Sequence, residues 1–154
     1  MSYERAAAHL ERFGLSDRIK LFDVSSATVE LAAQAVGCEP ARIAKTLSFL
    51  LPDGPVLILA AGDARIDNHK YKALFHAKAK MLAFEEVEPL IGHGVGGVCP
   101  FGINEGIPVW LDESLRRFDI VYPAAGTSNS AVELDLAELE RASQALGWID
   151  VCKY

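Results

Sequence analysis

The run Ile43-Ala44-Lys45-Thr46-Leu47-Ser48-Phe49-Leu50-Leu51, the four residues Pro52-Asp53-Gly54-Pro55, and the run Val56-Leu57-Ile58-Leu59-Ala60-Ala61 together decide the fold. Two apolar, strand-length runs flank a segment of turn chemistry, which predicts a β-hairpin and hence antiparallel pairing. Upstream, residues 3–13 read as a helix with Ser2 as its cap and Gly14 as its stop, and residues 19–24 as a short strand. Residues 29–36 are apolar at helical spacing behind the candidate cap Thr28 and end at Gly37; Pro40 opens a further turn. Downstream, residues 67–75 and 83–91 read as helices, the second with acids at its start where the helix dipole favours them. A glycine-rich loop spans 92–106, and strands are expected at 108–111 and 119–122 around a short helix at 113–117. A polar loop at 124–130, a strand at 131–134, a helix at 136–146 and a tail at 148–154 complete the chain. Interleaved elements around a hairpin predict a mixed α/β (α+β-type) architecture with a mixed, largely antiparallel sheet. With no repeat and no linker, residues 1–154 are expected to form one domain.

The 154 residues are 51% apolar and 23% charged, the composition of a globular protein with a proper core. No apolar run reaches the ~18 residues of a membrane span. The amphipathic start of the chain is not a signal peptide, so a cytoplasmic protein is expected. Three widely spaced cysteines, Cys38, Cys99 and Cys152, argue against a disulfide framework or a zinc site. The net charge of −6 argues against a nucleic-acid binder when taken alone. The charges are unevenly placed, however. Lys70, Lys72, Lys78 and Lys80 fall within residues 69–80, which contain no acid, while acids gather at Glu85, Glu86 and Glu88 and within 133–140. Such a run is either a solvated face or a local positive patch able to steer a phosphate backbone.

Three segments could carry chemistry. Lys45 is a single charge in an apolar strand. Covered on both faces it needs a partner, which a ligand's phosphate or carboxylate would supply; on an edge strand it would face water. The stretch Gly92-His93-Gly94-Val95-Gly96-Gly97-Val98-Cys99-Pro100-Phe101-Gly102 holds five glycines in eleven residues. Its backbone can approach a ligand closely, and free N–H groups there can hold an anion or a developing oxyanion. It matches neither a dinucleotide fingerprint nor a phosphate-binding P-loop. Within it Cys99, with His93 as a nearby base, is a candidate nucleophile, or else a packing residue. The third segment, Ala124-Ala125-Gly126-Thr127-Ser128-Asn129-Ser130, could hydrogen-bond an amine or a ribose, or form an ordinary Asx or Ser/Thr turn. His9 and His76 have no partner spacing and are expected at the surface, and no metal motif is present.

The three segments, in this order, resemble the YbaK/prolyl-tRNA-synthetase-associated aminoacyl-tRNA editing family. The resemblance rests on residues 28–37 with Pro40 and Ile43-Ala44-Lys45-Thr46-Leu47, on Gly96-Gly97-Val98-Cys99-Pro100-Phe101-Gly102, and on residues 125–130 ahead of a strand and terminal helix. It covers roughly residues 4–146 and implies a compact fold around a barrel-like sheet surrounded by helices. It further implies hydrolysis of the ester joining a wrong, small amino acid to the terminal adenosine of tRNA, without cofactor or metal. By the same resemblance Lys45 anchors the tRNA 3′ end and the Gly96 and Gly97 amides cradle the scissile carbonyl. A ribose hydroxyl of the substrate helps the attacking water. Thr46, His93, Cys99, Pro100, Phe101, Gly126, Ser128 and Asn129 are expected to line the substrate pocket, with Lys70 and Lys72 on the tRNA backbone.

Some family members carry a histidine where this chain has Ser128-Asn129, which leaves the amino acid removed open. The acidic charge points to modest tRNA affinity, with selection supplied by a partner synthetase or elongation factor. A non-catalytic nucleotide, amino-acid or partner-binding module using the same pocket is the alternative, and turnover separates the two. A cysteine hydrolase built on Cys99 would be silenced by Cys99→Ala. A purely structural domain would be indifferent to the loss of Lys45.

Overall fold

The computed structural model describes residues 2–154. In chain order it contains α1 (Ser2–Arg12), β1 (Ile19–Leu21), α2 (Val29–Val36), β2 (Ala44–Leu51), β3 (Gly54–Ala61), β4 (Arg65–Ile66), α3 (Asn68–Phe75) and α4 (Phe84–Ile91). There follow β5 (Val109–Asp112), a 3-10 helix (Glu113–Arg117), β6 (Ile120–Val121), β7 (Ser130–Val132), β8 (Leu134–Asp135), α5 (Leu136–Ser143), β9 (Gly147–Ile149) and β10 (Cys152–Lys153).

The predicted hairpin is the centre of the molecule. β2 and β3 pair antiparallel, from Ala44 opposite Ala61 to Leu51 opposite Gly54, with Lys45 opposite Ala60. Gly54 closes the turn at φ 135°, a conformation that favours glycine. β3 is flanked on its other side by β5, parallel, and β5 by β9, again parallel. Residues 56–61 are buried throughout, which explains why that run is apolar without alternation: a strand covered on both faces has no solvent side. Leu57, Ile58 and Leu59 are fully buried here beside Leu111, Leu115 and Leu139, each side chain stabilising the fold by about 1.5–3 kcal/mol.

Four of the six strand pairings among the described residues are antiparallel, so the sheet structure is mixed and largely antiparallel as expected. Among the described residues no closed barrel is found. The order β2-β3-β5-β9 is an open sheet with β2 and β9 at its edges, accompanied by three two-stranded ribbons, β1-β7, β4-β10 and β6-β8. Irregular chain takes up the outer edge of β2 in place of a closing strand. Leu50 donates its N–H to the Lys80 carbonyl (2.8 Å), Leu82 to Ser48 (3.2 Å) and Ala44 to Tyr122 (3.1 Å).

Other departures are local. The first helix already includes Ser2, which is a helical residue rather than the expected cap. α5 stops at Ser143, three residues early, with Gln144 left-handed at φ 55°. The chain leaves the helix because Leu146 donates to the Val109 carbonyl (2.8 Å) and starts β9. The expected tail is therefore two strands. The strand expected at 131–134 is split at Glu133, its halves pairing with β1 and β6. The strand expected at 19–24 ends at Leu21. His9 is buried rather than exposed: Nε2 lies 2.6 Å from the Ala142 carbonyl, and the Arg12 guanidinium donates to Nδ1 at 3.2 Å, tying α1 to α5.

Candidate active site

A cavity of about 370 Å³ opens between the start of α2, the first half of β2, the 81–87 segment and the glycine loop. That size suits a small ligand. Its walls include Ser26, Thr28, Lys45, Thr46, Phe84 and Gly96. A larger hollow of about 730 Å³ lies between α1 and residues 100–107, but among the predicted site residues only Pro100 borders it. The smaller cavity is the candidate site because all three predicted segments reach it, the third through Ala124.

Lys45 sits on an edge strand and is still half-buried, so both sequence alternatives were partly right. Its ammonium donates to the Gly62 carbonyl (3.4 Å) and to the Ala64 carbonyl. Burial lowers its pKa, while the two carbonyls favour the charged form. An ammonium has three N–H donors, and two are used, which leaves one for a ligand. The 62–64 turn that holds Lys45 is itself clamped. Arg117 donates to both oxygens of Asp63 at 3.0 and 2.5 Å, and this bond holds the Asp63 carboxyl below the usual range.

Next to Lys45, the Thr46 hydroxyl is buried on the cavity wall with no hydrogen-bond partner among the described residues. A buried hydroxyl without a partner is costly, and since the oxygen itself has no accessible surface it is an orphan of the wall rather than a ligand contact. Thr28 also borders the cavity, with its own hydroxyl accepting from the Leu31 N–H (3.2 Å) as the cap of α2.

The glycine loop divides its roles. Gly96, at φ 94°, lies on the cavity wall, and among the described residues its N–H has no hydrogen-bond acceptor. The Gly97 N–H, expected as a second oxyanion donor, is given to the Gly94 carbonyl at 3.1 Å. Gly97 matters sterically: a Cβ there would lie 2.6 Å from the Gly126 carbonyl group and the Thr127 nitrogen. The third segment thus backs the loop. A Cβ on Gly96 would meet the Ser128 Cβ at 3.4 Å, and the Ser128 carbonyl accepts from Ser26 N–H at 2.6 Å. Gly126 packs on the backbone of Ser2 and Tyr3 at φ 89°. Asn129 holds the chain rather than a ligand, its amide nitrogen donating to the Phe22 carbonyl at 3.1 Å.

His93, Cys99, Pro100 and Phe101 are buried beneath the loop and do not line the cavity. His93 Nε2 lies 2.6 Å from the Phe101 carbonyl, which can only accept, so that nitrogen carries the proton. Nε2 is also the nitrogen 3.5 Å from Cys99 Sγ, so it cannot act as the thiol's base. Burial pushes the Cys99 thiol up to about 12 and lowers the His93 pKa. The nucleophile reading of Cys99 fails on these grounds. Lys70 braces the C-terminal strand, donating to Asp150 (2.9 Å) and to the Cys152 carbonyl (3.0 Å), away from the cavity; Lys72 is exposed. Sequence reasoning missed Ser26, Met81, Phe84 and Val95 as wall residues. For Ser26 a run of small polar residues before a helix was the available signal; the other three carry none.

An open mixed sheet whose edge lysine has one free donor, and a glycine of positive φ on the same cavity wall, define a small-ligand site within an α/β domain. The chain belongs to the aminoacyl-tRNA editing domain family, whose match spans residues 24–142. It is 47% identical to YwhH of Bacillus subtilis (strain 168), an uncharacterized protein, over 99% of this chain and 98% of that one. It is 27% identical to the proline–tRNA ligase of Leuconostoc mesenteroides over 84% of this chain, the match spanning only 22% of the ligase. Among solved structures, a proposed trans-editing enzyme for prolyl tRNA synthetase superposes with a TM-score of 0.89 at 32% identity. That superposition covers 99% of this chain and 98% of the other.

Proposed function

We propose that the chain is a trans-acting aminoacyl-tRNA deacylase that clears a wrong, small amino acid from tRNA of the proline type. One observation carries the reading: Lys45, with a donor to spare, and Gly96, whose N–H has no acceptor among the described residues, line the same cavity. In the reaction a water oxygen adds to the ester carbonyl, the carbonyl oxygen takes up negative charge, and the ester C–O bond then breaks. The proton ends on the departing ribose oxygen, leaving free amino acid and intact tRNA. The Gly96 N–H is the donor for the oxyanion, an interaction worth about 3 kcal/mol in comparable sites. Lys45 holds a phosphate or polar atom of the 3′ end. A ribose hydroxyl of the substrate assists the water in place of a protein base, with no metal. Positioning accounts for much of the rate because the ester is already activated.

Ile43, Val29, Leu82, Val87 and Val98 make the cavity mostly apolar, so the amino acid is chosen by size. The acidic net charge fits delivery of tRNA by a synthetase or elongation factor in the cytoplasm. The test is deacylation of proline tRNA charged with alanine, cysteine, serine or proline. Rapid release from one mischarged species, with prolyl-tRNA spared, supports the proposal. Release from none by folded protein overturns it in favour of a binding module.

A further inference from the structure

The mouth of the cavity is bordered by Met81, Phe84 and Val95, which are 55%, 76% and 53% exposed. Isolated apolar residues on a surface need no explanation, but three around one functional opening do. Immediately before Met81 stand Lys78 and Lys80, both exposed and in no ion pair among the described residues. The segment is held firmly: Lys80 and Leu82 bond to the edge of β2, and Met81 bridges Phe49. At the start of α4, Glu86 caps the Ala83 N–H at 2.8 Å, fixing the backbone next to Phe84. An exposed aromatic ring at the entrance to a cavity, with free cations four and six residues before it in the chain, is a pattern suited to single-stranded nucleic acid. The bases stack on the ring and the phosphates follow the cations.

We propose that segment 78–84 receives the single-stranded 3′ end of the tRNA, with Phe84 as a stacking platform for a terminal base and Lys78 and Lys80 along its phosphates. This rests on the editing reading and moves the tRNA contact from Lys70 and Lys72 to the cavity mouth. The exposed carboxylates Glu85 and Glu88 repel phosphate from the α4 side and leave the lysine side as the approach. Phe84 is a positioning residue and touches no reacting atom.

The full-length chain carrying Phe84→Trp is titrated with uncharged proline tRNA and with the same tRNA lacking its terminal adenosine, wild type serving as the blank for Trp110 and Trp148. Quenching by the intact tRNA that is lost with the truncated one is expected. No quenching, or equal quenching by both, overturns the platform. This binding readout does not depend on turnover, so failure of the platform is distinguishable from failure of the editing reading. In deacylation, Phe84→Ala is expected to raise KM about tenfold with kcat within twofold, and Phe84→Tyr to restore it. The Lys78→Ala, Lys80→Ala pair is expected to flatten the log affinity against log salt slope by about one to two. An active Phe84→Ala with unchanged KM would assign the apolar mouth to a protein partner or a second copy and overturn the proposal.

Discussion

Arg117 grips both carboxylate oxygens of Asp63, and Asp63 lies between Gly62 and Ala64, whose carbonyls hold the Lys45 ammonium. The side chain central to the proposed chemistry is therefore positioned by a pair remote in sequence. Arg117 is further fixed against the Tyr154 ring, 4.0 Å from its centroid. Arg117→Ala is expected to lower kcat/KM several-fold. The stability cost should be about 1 kcal/mol or less, since the pair is partly solvated. Chemical denaturation beside the kinetic assay separates the two effects.

Gly97→Ala is expected to abolish most activity and destabilise by about 1–3 kcal/mol. The added Cβ would meet the 126–127 backbone at 2.6 Å, so the loop must lift away from the third segment. Urea melts and the deacylation rate should fall together.

Cys99→Ala is expected to keep deacylation within about twofold of wild type and to cost about 1 kcal/mol of stability. Its thiol is buried and held protonated by that burial. Thiol-blocking reagents at neutral pH should leave the folded protein active; rapid inactivation traced to Cys99 would contradict the placement.

His9 and His93 are both buried with pKa values lowered from 6.5, burial being the largest cause. The unfolded chain thus binds protons that the folded chain refuses. Stability is full above pH 6.5 and falls as pH drops from there through the lowered folded values. Tm should decline between pH 7 and 5, and His9→Gln should make that decline shallower.

The hairpin was legible because Pro52-Asp53-Gly54 is local turn chemistry, and β3 because a continuous apolar run carries its own signal. Lys45 stood out as a lone charge among apolar neighbours. What escaped depended on partners far along the chain. His9 is buried only because the Ala142 carbonyl meets it, Lys70 is occupied only because Asp150 reaches it, and β9 exists only because β5 offers an edge. Whether His93 and Cys99 form a dyad or merely pack stayed open because sequence cannot place the Phe101 carbonyl on the ring nitrogen that a base would need free. The open sheet instead of a barrel has the same origin, since segment 80–82 competes for the edge of β2 without any strand-like pattern.

The most direct test of the central claim is single-turnover deacylation of alanyl-tRNA of the proline type by wild type, Lys45→Ala and Lys45→Arg, each confirmed folded by circular dichroism. Fast release by wild type is expected, with a loss of at least about a hundredfold in Lys45→Ala and partial activity in Lys45→Arg, which keeps a charge but not the three-donor geometry. Release by Lys45→Ala at the wild-type rate would contradict the claim.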